Sequence, residues 1–557
     1  MLRRLPWLAA LCSAPLAAQQ IVEYSAYNGP LALGYPVPTP VESLTPVAGF
    51  RSLASLHARH QSLYLGSPWV AAEVLGQSRE GRPIWGYRIS DADDHTASGL
   101  TEPAALFSGS VHAREWQSPE VVTGLFESLL TSASDAGLGQ FLVENLQVVL
   151  VPLVNPDGLA HTQRYPARVV DSFSGHRDGR QRRKNLRDSD GVLATLGDHL
   201  LGVDLNRQFP PFWNQGASTS ALTYPGPAAL SEPEAAALVA AADLVPAGRL
   251  RLYADFHSFG RVFIVPETDR PALDSFNRTL VGRLQAHLQA LGSNYAASYW
   301  PRSAGIGATD EYHAETYGIP AWTFEIEPGG QGGVEYGGYG VRGDGFILPA
   351  AEIARVRREI DSSYRLALYH QYGPPSVQAV EIREASSGRV VHAAHWQPLD
   401  DGGRRLRVSV DAPLAPGREY RLWLAFDKPM RHRLDGAVLN YPGQTVDLAA
   451  AIALVHPDGQ WRLPAATWLA RAGGAPDGYR RYRDDALAVR FTTPQADWVS
   501  GPLRLRVTVA DMAGQALDSE PATPVDFSAG WTGYQPGADR SLEINAPGIL
   551  LWDGFEG

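Results

Sequence analysis

Ala105-Leu106-Phe107-Ser108-Gly109-Ser110-Val111-His112-Ala113-Arg114-Glu115-Trp116 is the stretch on which the reading of this chain turns. Its first half is a short apolar run that breaks at Gly109 and ends in polar residues. That is the pattern of a buried strand delivering its C-terminal end to a loop. An imidazole and a carboxylate three residues apart can converge on one ion, and His with Glu is a usual ligand pair for catalytic zinc. A catalytic zinc takes three protein ligands and keeps one open position, so His112 and Glu115 predict a third ligand elsewhere. Alone, the four-residue pattern is common by chance, and a surface His beside an exposed Glu is the plainer reading until other parts of a site are found.

The 557 residues allow two to four domains and a large core. A hydrophobic content of 44% and a charged content of 19% are ordinary for globular protein. The net charge of -11, with no basic tract longer than Arg182-Arg183-Lys184, argues against a nucleic-acid partner. Met1-Leu2-Arg3-Arg4, the apolar residues after it and the small residues up to Ala18 read as a secretory signal peptide over 1–18. Cys12, the only cysteine, lies inside it. The expected mature protein is therefore exported, secreted or periplasmic, without thiol or disulfide, and held by packing rather than cross-links. No later segment reaches the roughly 18 consecutive apolar residues of a membrane helix, so no membrane span is expected.

Outward from the central stretch, Pro83-Ile84-Trp85-Gly86-Tyr87-Arg88-Ile89 reads as a strand after the turn at Gly81, and 50–64 as a helix. Ser118-Pro119-Glu120 reads as a helix start with Ser118 as N-cap. The apolar, β-branched run 146–154, ending at Asn155-Pro156-Asp157-Gly158, suits an interior strand. Leu250-Arg251-Leu252-Tyr253-Ala254-Asp255-Phe256-His257 and Ala321-Trp322-Thr323-Phe324-Glu325-Ile326-Glu327 are further strands. Helices are expected at 231–244, where Ser231 and Glu234 would form a capping box, and at 271–291 and 349–369. Strands alternating with helices define an α/β fold: a mixed, mostly parallel sheet covered by helices on both faces. Ligands of such sheets bind beyond the carboxyl ends of strands, where His112, His257 and Asn155 all fall. After Gly373-Pro374-Pro375 short alternating segments separated by Gly, Pro and Asp predict an all-β sandwich. The expected division is 1–18 signal peptide, 19–373 catalytic domain, 374–530 β-sandwich resembling bacterial immunoglobulin-like modules, and 531–557 tail.

Taken together, the motifs resemble the zinc metallocarboxypeptidases of the carboxypeptidase A and B type. The resemblance covers roughly 70–370 and rests on six features in order. These are Glu80-Gly81-Arg82-Pro83, His112-Ala113-Arg114-Glu115-Trp116, Asn155-Pro156-Asp157-Gly158, Arg183-Lys184-Asn185, Gly202-Val203-Asp204-Leu205-Asn206-Arg207, and Thr323-Phe324-Glu325 after Gly318-Ile319-Pro320. It implies one zinc held by His112, Glu115 and His257, and a zinc-activated water whose proton passes to a carboxylate. Glu325 is that general base by resemblance. Period-two alternation puts Glu327 on the same face of the strand, as its rival. Arg183 is placed by resemblance near the substrate terminus and carbonyl as a catalytic group, with Arg114 polarising the scissile carbonyl. Asn206 and Arg207 match the clamp for a free C-terminus, a pairing chemically suited to a carboxylate. The mobile tyrosine falls at Tyr299, with Tyr295 as alternative, in a stretch whose spacing departs from the family's. Thr309, before Asp310, stands where a specificity residue could lie. His161, His176, His199 and His313 lack ligand context and read as surface groups.

The leading function is thus a secreted zinc carboxypeptidase acting on peptide or protein C-termini. The alternatives are a related amidohydrolase acting on cell-wall peptides, and a catalytically silent binding protein whose active part is the β-rich module.

Overall fold

The computed structural model describes residues 49–97, 101–164, 182–191, 197–329, 348–398, 404–434 and 450–517, with short pieces beside them. The signal segment, His176 and most of 531–557 lie outside the described residues, as does the side chain of His199. A short antiparallel pair, β1 (Ile21–Ser25) with β2 (Gly29–Leu33), precedes helix α1 (Leu53–Leu65). The Ser52 hydroxyl caps α1 by accepting the Ser55 N–H at 3.0 Å. Then follow β3 (Val70–Gln77), β4 (Pro83–Ile89), β5 (Ala104–Gly109), α2 (Gln117–Ser132), α3 (Leu138–Asn145), β6 (Gln147–Val151) and α4 (Pro156–Arg164). After α5 (Pro233–Ala240) come β7 (Leu250–Ser258), β8 (Val262–Pro266), α6 (Pro271–Ala290), β9 (Ala296–Trp300), α7 (Thr309–Tyr317), β10 (Ala321–Ile326) and α8 (Ala350–Gln371).

Eight of these strands form one sheet in the order β3-β4-β6-β5-β7-β10-β8-β9. Its centre, β6-β5-β7-β10, is parallel, and the β3-β4 hairpin joins it antiparallel on one side. On the other side β8 runs antiparallel to β10, with β9 parallel to β8. The sheet is mixed with a parallel core, as the strand–helix alternation predicts. Alternate residues of β5 feed two separate cores: Ala105 and Phe107 pack with α2 and α8, Ala104 and Leu106 with α5. A one-residue slip of β5 would exchange these two sets of side chains. Packing on both faces therefore fixes the height at which β5 releases the His112 loop beside the end of β7.

Two glycines permit the close approaches that bring that loop into place. A Cβ on Gly109 would lie 3.1 Å from Ser118 O and from Val122 Cγ2 of α2. A Cβ on Gly158 would lie 2.7 Å from the Ala113 Cβ, so only glycine lets α4 press against the loop.

Two helix starts differ from the sequence reading. Helix α2 begins at Gln117 without a side-chain cap; the Ser118 hydroxyl instead accepts Ser110 N–H at 2.8 Å and donates to Glu115 O. Likewise α5 begins at Pro233 with no capping box, and Ser231 Oγ donates to Gln208 Oε1. In both cases tertiary partners outcompete the local cap.

Beyond α8, the six-stranded and four-stranded antiparallel sheets share one apolar core, which includes Val380, Leu422, Leu424, Leu454, Val489 and Leu505. Residues Ser541–Ile544, read from the sequence as tail, form an edge strand against Leu503–Arg506. This β-rich part is joined intimately to the α/β part. Tyr482, Met512 and Ala513 belong to the core cluster of α2, α3 and α8. Lys428 Nζ, fully buried, donates to Gly373 O at 2.6 Å and to Asp511 Oδ2 at 2.8 Å, over the Tyr369 ring. Among the described residues, no helix is long and apolar enough to cross a membrane.

Candidate active site

Parallel pairing puts Glu325 of β10 opposite His257 of β7, and β5, on the other side of β7, sends His112 and Glu115 to the same end. His112 Nδ1 lies 2.9 Å from Glu115 Oε1 and 2.9 Å from His257 Nδ1. His257 Nδ1 lies 2.8 Å from Glu115 Oε2, which also accepts the Ser258 N–H at 3.1 Å. All three side chains are buried.

The far side of each imidazole faces a carboxylate: His112 Nε2 is 3.1 Å from Asp204 Oδ1, and His257 Nε2 is 2.6 Å from Asp255 Oδ2. A carboxylate accepting the Nε2 proton turns the Nδ1 lone pair toward the common point, the usual support of a metal-binding histidine. Zinc bonds of roughly 2.0–2.1 Å at tetrahedral angles separate two nitrogen ligands by about 3.3 Å. The present 2.9 Å is close to that, so the donor set fits a zinc ion after a shift of a few tenths of an ångström.

Electrostatics sort the surrounding acids. Burial alone would raise Glu115, but His112 and His257 hold it well below the usual carboxylate range. Burial would raise Asp204 too, yet Arg183, Arg207 and His112 keep it low. For Glu325 the balance is opposite. Burial and then the charge of Glu115 push it up to about 7, against the pull of His257, Arg183 and Arg114. Its Oε2 has no hydrogen-bond partner among the described residues. Glu327, its rival on sequence, is fully buried and ion-paired, with Arg261 NH2 at 2.6 Å and with Arg355. Among the described residues, one acid is therefore neutralised by arginines and the other keeps an oxygen without a hydrogen-bond partner beside the cluster.

Asp204 ties the cluster to the candidate clamp. Its carboxylate accepts Arg183 Nε at 2.9 Å and the Asn206 backbone N–H at 3.1 Å besides facing His112. Asn206 Oδ1 in turn accepts Thr309 N–H at 2.9 Å, and Arg207 NH1 donates to Asn206 O at 2.5 Å. Arg114 packs its guanidinium 4.2 Å from the centre of the Phe346 ring. His112, Glu115, His257, Glu325, Arg183 and Arg114 are thus one group, with Asn206 and Arg207 joined to it through Asp204.

Neither tyrosine is brought there. Tyr299 on β9 pairs with Val265, three positions along β8 from the Val262 that faces Glu325, about 10 Å along the strand. Its ring lies 4.0 Å from the Arg278 guanidinium. Tyr295 is buried and stacked on Phe324 at 4.9 Å. Thr309 is buried, and its hydroxyl donates to Asp255 Oδ2 at 2.8 Å. His161 and His313 are buried rather than superficial, and His313 stacks on Tyr253 with ring centres 3.7 Å apart.

Sequence reasoning assigned no role to Asp204 or Asp255. Asp255 carried a legible signal, an acid two positions before His257 on the same face of a fully buried strand. Asp157, in the Asn155–Gly158 motif, organises the turn before β4: it accepts from Ser78 Oγ, the Glu80 N–H and Arg82 NH1 at 2.6–2.7 Å.

The sequence model of the zinc carboxypeptidase family (peptidase M14) matches residues 66–360. The chain belongs to that family. Among curated relatives it is 29% identical over 324 residues to zinc carboxypeptidase A 1 of Anopheles gambiae, spanning 56% of this chain and 65% of that protein. It is 29% identical over 314 residues to carboxypeptidase B of Helicoverpa zea, spanning 53% of this chain and 65% of the relative. The chain thus spans somewhat less than two thirds of these relatives. The crystal structure of carboxypeptidase A from Helicoverpa armigera superposes with a TM-score of 0.47 at 22% identity, covering 60% of this chain and 76% of that one.

Proposed function

We propose that this protein is an exported zinc carboxypeptidase that removes the C-terminal amino acid of peptides or proteins. The observation that carries the reading is the convergence of His112 Nδ1, Glu115 and His257 Nδ1 beside Glu325, whose Oε2 has no hydrogen-bond partner among the described residues. Zinc held by those three would polarise a carbonyl oxygen and lower the pKa of water to about 7. Glu325, raised toward neutrality, is the group able to take a proton from water near pH 7 and return it to the leaving amine. Arg207 and Asn206 receive the substrate's free carboxylate through charge-assisted hydrogen bonds. Arg183, oriented by Asp204, and Arg114 present positive charge to the oxygen on which negative charge grows. The β-rich part is read as an immunoglobulin-like brace for the catalytic half, which the packing of Tyr482 and Met512 into that half supports. Export rests on the leader-like first 18 residues.

The test is a panel of short peptides differing only in the last residue, assayed with and without a chelator. Release of one terminal amino acid is expected, lost on metal removal and with Glu325→Gln. Equal release from amidated peptides would refute the clamp at Asn206 and Arg207.

A further inference from the structure

A second group of acids sits at the opposite end of β5, in the loop that follows β4. Carboxylate oxygens of Asp91, Asp93 and Glu102 lie within 4.8 Å of one another. Calcium–oxygen bonds of roughly 2.3–2.6 Å allow two ligands on one ion to stand up to about 5 Å apart. We propose that this loop binds a calcium ion through Asp91, Asp93 and Glu102.

Proximity alone would not carry this; the state of Glu102 does. Its side chain is closed to solvent, and its Oε1 has no hydrogen-bond partner among the described residues. Its Oε2 accepts the Ser90 hydroxyl at 3.3 Å. The neighbouring Gln147 amide acts favourably on it, yet both amide atoms of Gln147 are buried without a geometric hydrogen bond. A buried carboxylate is costly unless paired or metal-bound. Among the described residues no Lys, Arg or His forms an ion pair with any of the three acids. The nearby cation is spent elsewhere. Arg249 pairs with Asp94 at 3.6 Å and donates to the Asp94 and Glu102 carbonyls; His95 also takes Asp94, at 2.8 Å.

The donor chemistry selects the ion. An all-oxygen, carboxylate-rich set suits calcium, magnesium or manganese rather than zinc. Magnesium keeps several waters and demands near-octahedral geometry, whereas calcium accepts a flexible loop carrying three carboxylates. The loop is already anchored to α3 at two points, Asp91 N–H to Val143 O at 3.1 Å and Ala97 N–H to Asn145 Oδ1 at 2.9 Å. Calcium would thus fasten the junction of β4, β5 and α3, at the far end of the strand that carries the catalytic loop.

The experiment is calorimetric titration of CaCl2 into the zinc-loaded full-length protein, freed of calcium by dialysis, together with thermal melts. One saturable site is expected, with Kd of about 10⁻⁴–10⁻³ M, and a higher melting temperature in 10 mM CaCl2. Asp93→Asn changes an exposed side chain and spares the fold; it should weaken binding at least tenfold and remove the thermal gain. Asp91→Asn should do the same, with zinc content and near-ultraviolet dichroism unchanged. Absence of heat and of any thermal gain up to 10 mM would overturn the proposal. So would wild-type binding by Asp93→Asn, or an equal gain from MgCl2.

Discussion

Two glutamates two residues apart should respond oppositely to the same change, and the structure supplies the magnitudes. Glu325→Gln removes a group whose folded-state pKa is raised above its ordinary value of 4.5 to about 7. Such a group destabilises the fold when ionised. The penalty is absent below the unfolded value, grows between about pH 4.5 and 7, and is complete above that. At about 1.36 kcal/mol per unit the ceiling is about 3 kcal/mol; partial exposure to solvent lowers it to about 1–2 kcal/mol. In the metal-free protein, Glu325→Gln should therefore gain stability at pH 8 and gain little at pH 5. Glu327→Gln loses ion pairs with Arg261 and Arg355. Removing one partner of a buried pair costs about 3–5 kcal/mol. Because both arginines are partly exposed, the expected cost is about 1–3 kcal/mol. Urea unfolding of the metal-free variants at the two pH values measures both, and peptidase assays of the zinc-loaded forms complete the comparison. Glu325→Gln should lower kcat by roughly 10²–10⁴, while Glu327→Gln keeps kcat within a few-fold at temperatures where it stays folded. Activity in Glu325→Gln, or equal destabilisation by the two substitutions, would refute the division of roles.

Asp204→Asn keeps an acceptor oxygen but removes the charge behind His112 and Arg183, and zinc affinity should fall about 10–100-fold, measured by competition with a fluorescent chelator. Arg207→Ala should raise KM for peptides with a free C-terminus by roughly 10–100-fold, as the loss of a charge-assisted hydrogen bond of about 1.5–3 kcal/mol implies, and leave amidated peptides unaffected. Lys428→Met strips Asp511 of its ammonium partner inside the protein. It should cost about 3–5 kcal/mol in equilibrium unfolding, and Lys428→Met with Asp511→Leu should recover part of the loss.

What could be read from the sequence was local or periodic. The apolar run at 104–109 and the His112–Glu115 spacing are set within one strand and one loop, so both survive in the fold. The helices expected at 50–64, 271–291 and 349–369 form at 53–65, 271–290 and 350–371. What escaped depends on partners distant in the chain. Alternation could not separate Glu325 from Glu327, because Arg261 and Arg355, which neutralise only the latter, come from a turn and a helix elsewhere. Ser118 and Ser231 carry the composition of caps, yet Ser110 and Gln208 claim their hydroxyls. Asp204 stands within the Gly202–Arg207 motif, but its link between His112 and Arg183 exists only in three dimensions. Tyr299 is placed only by resemblance, in a stretch whose spacing departs from the family's, and the strand pairing of β9 carries it elsewhere.

The insertion of Tyr482, Met512 and Ala513 into the wall of the catalytic half has a consequence for biosynthesis. Helix α8 ends at Gln371, yet the wall it helps to form is closed only when roughly 140 further residues have been made, which at about 5–20 residues per second leaves it open for roughly 7–30 s on the ribosome. Until position 428 is made, Tyr369 and Tyr372 lack the Lys428 side chain, and until position 482 is made Phe141 lacks the Tyr482 ring. A nascent chain stalled between residues 372 and 482 should therefore bind chaperones and proteases, although every candidate zinc ligand has already been translated.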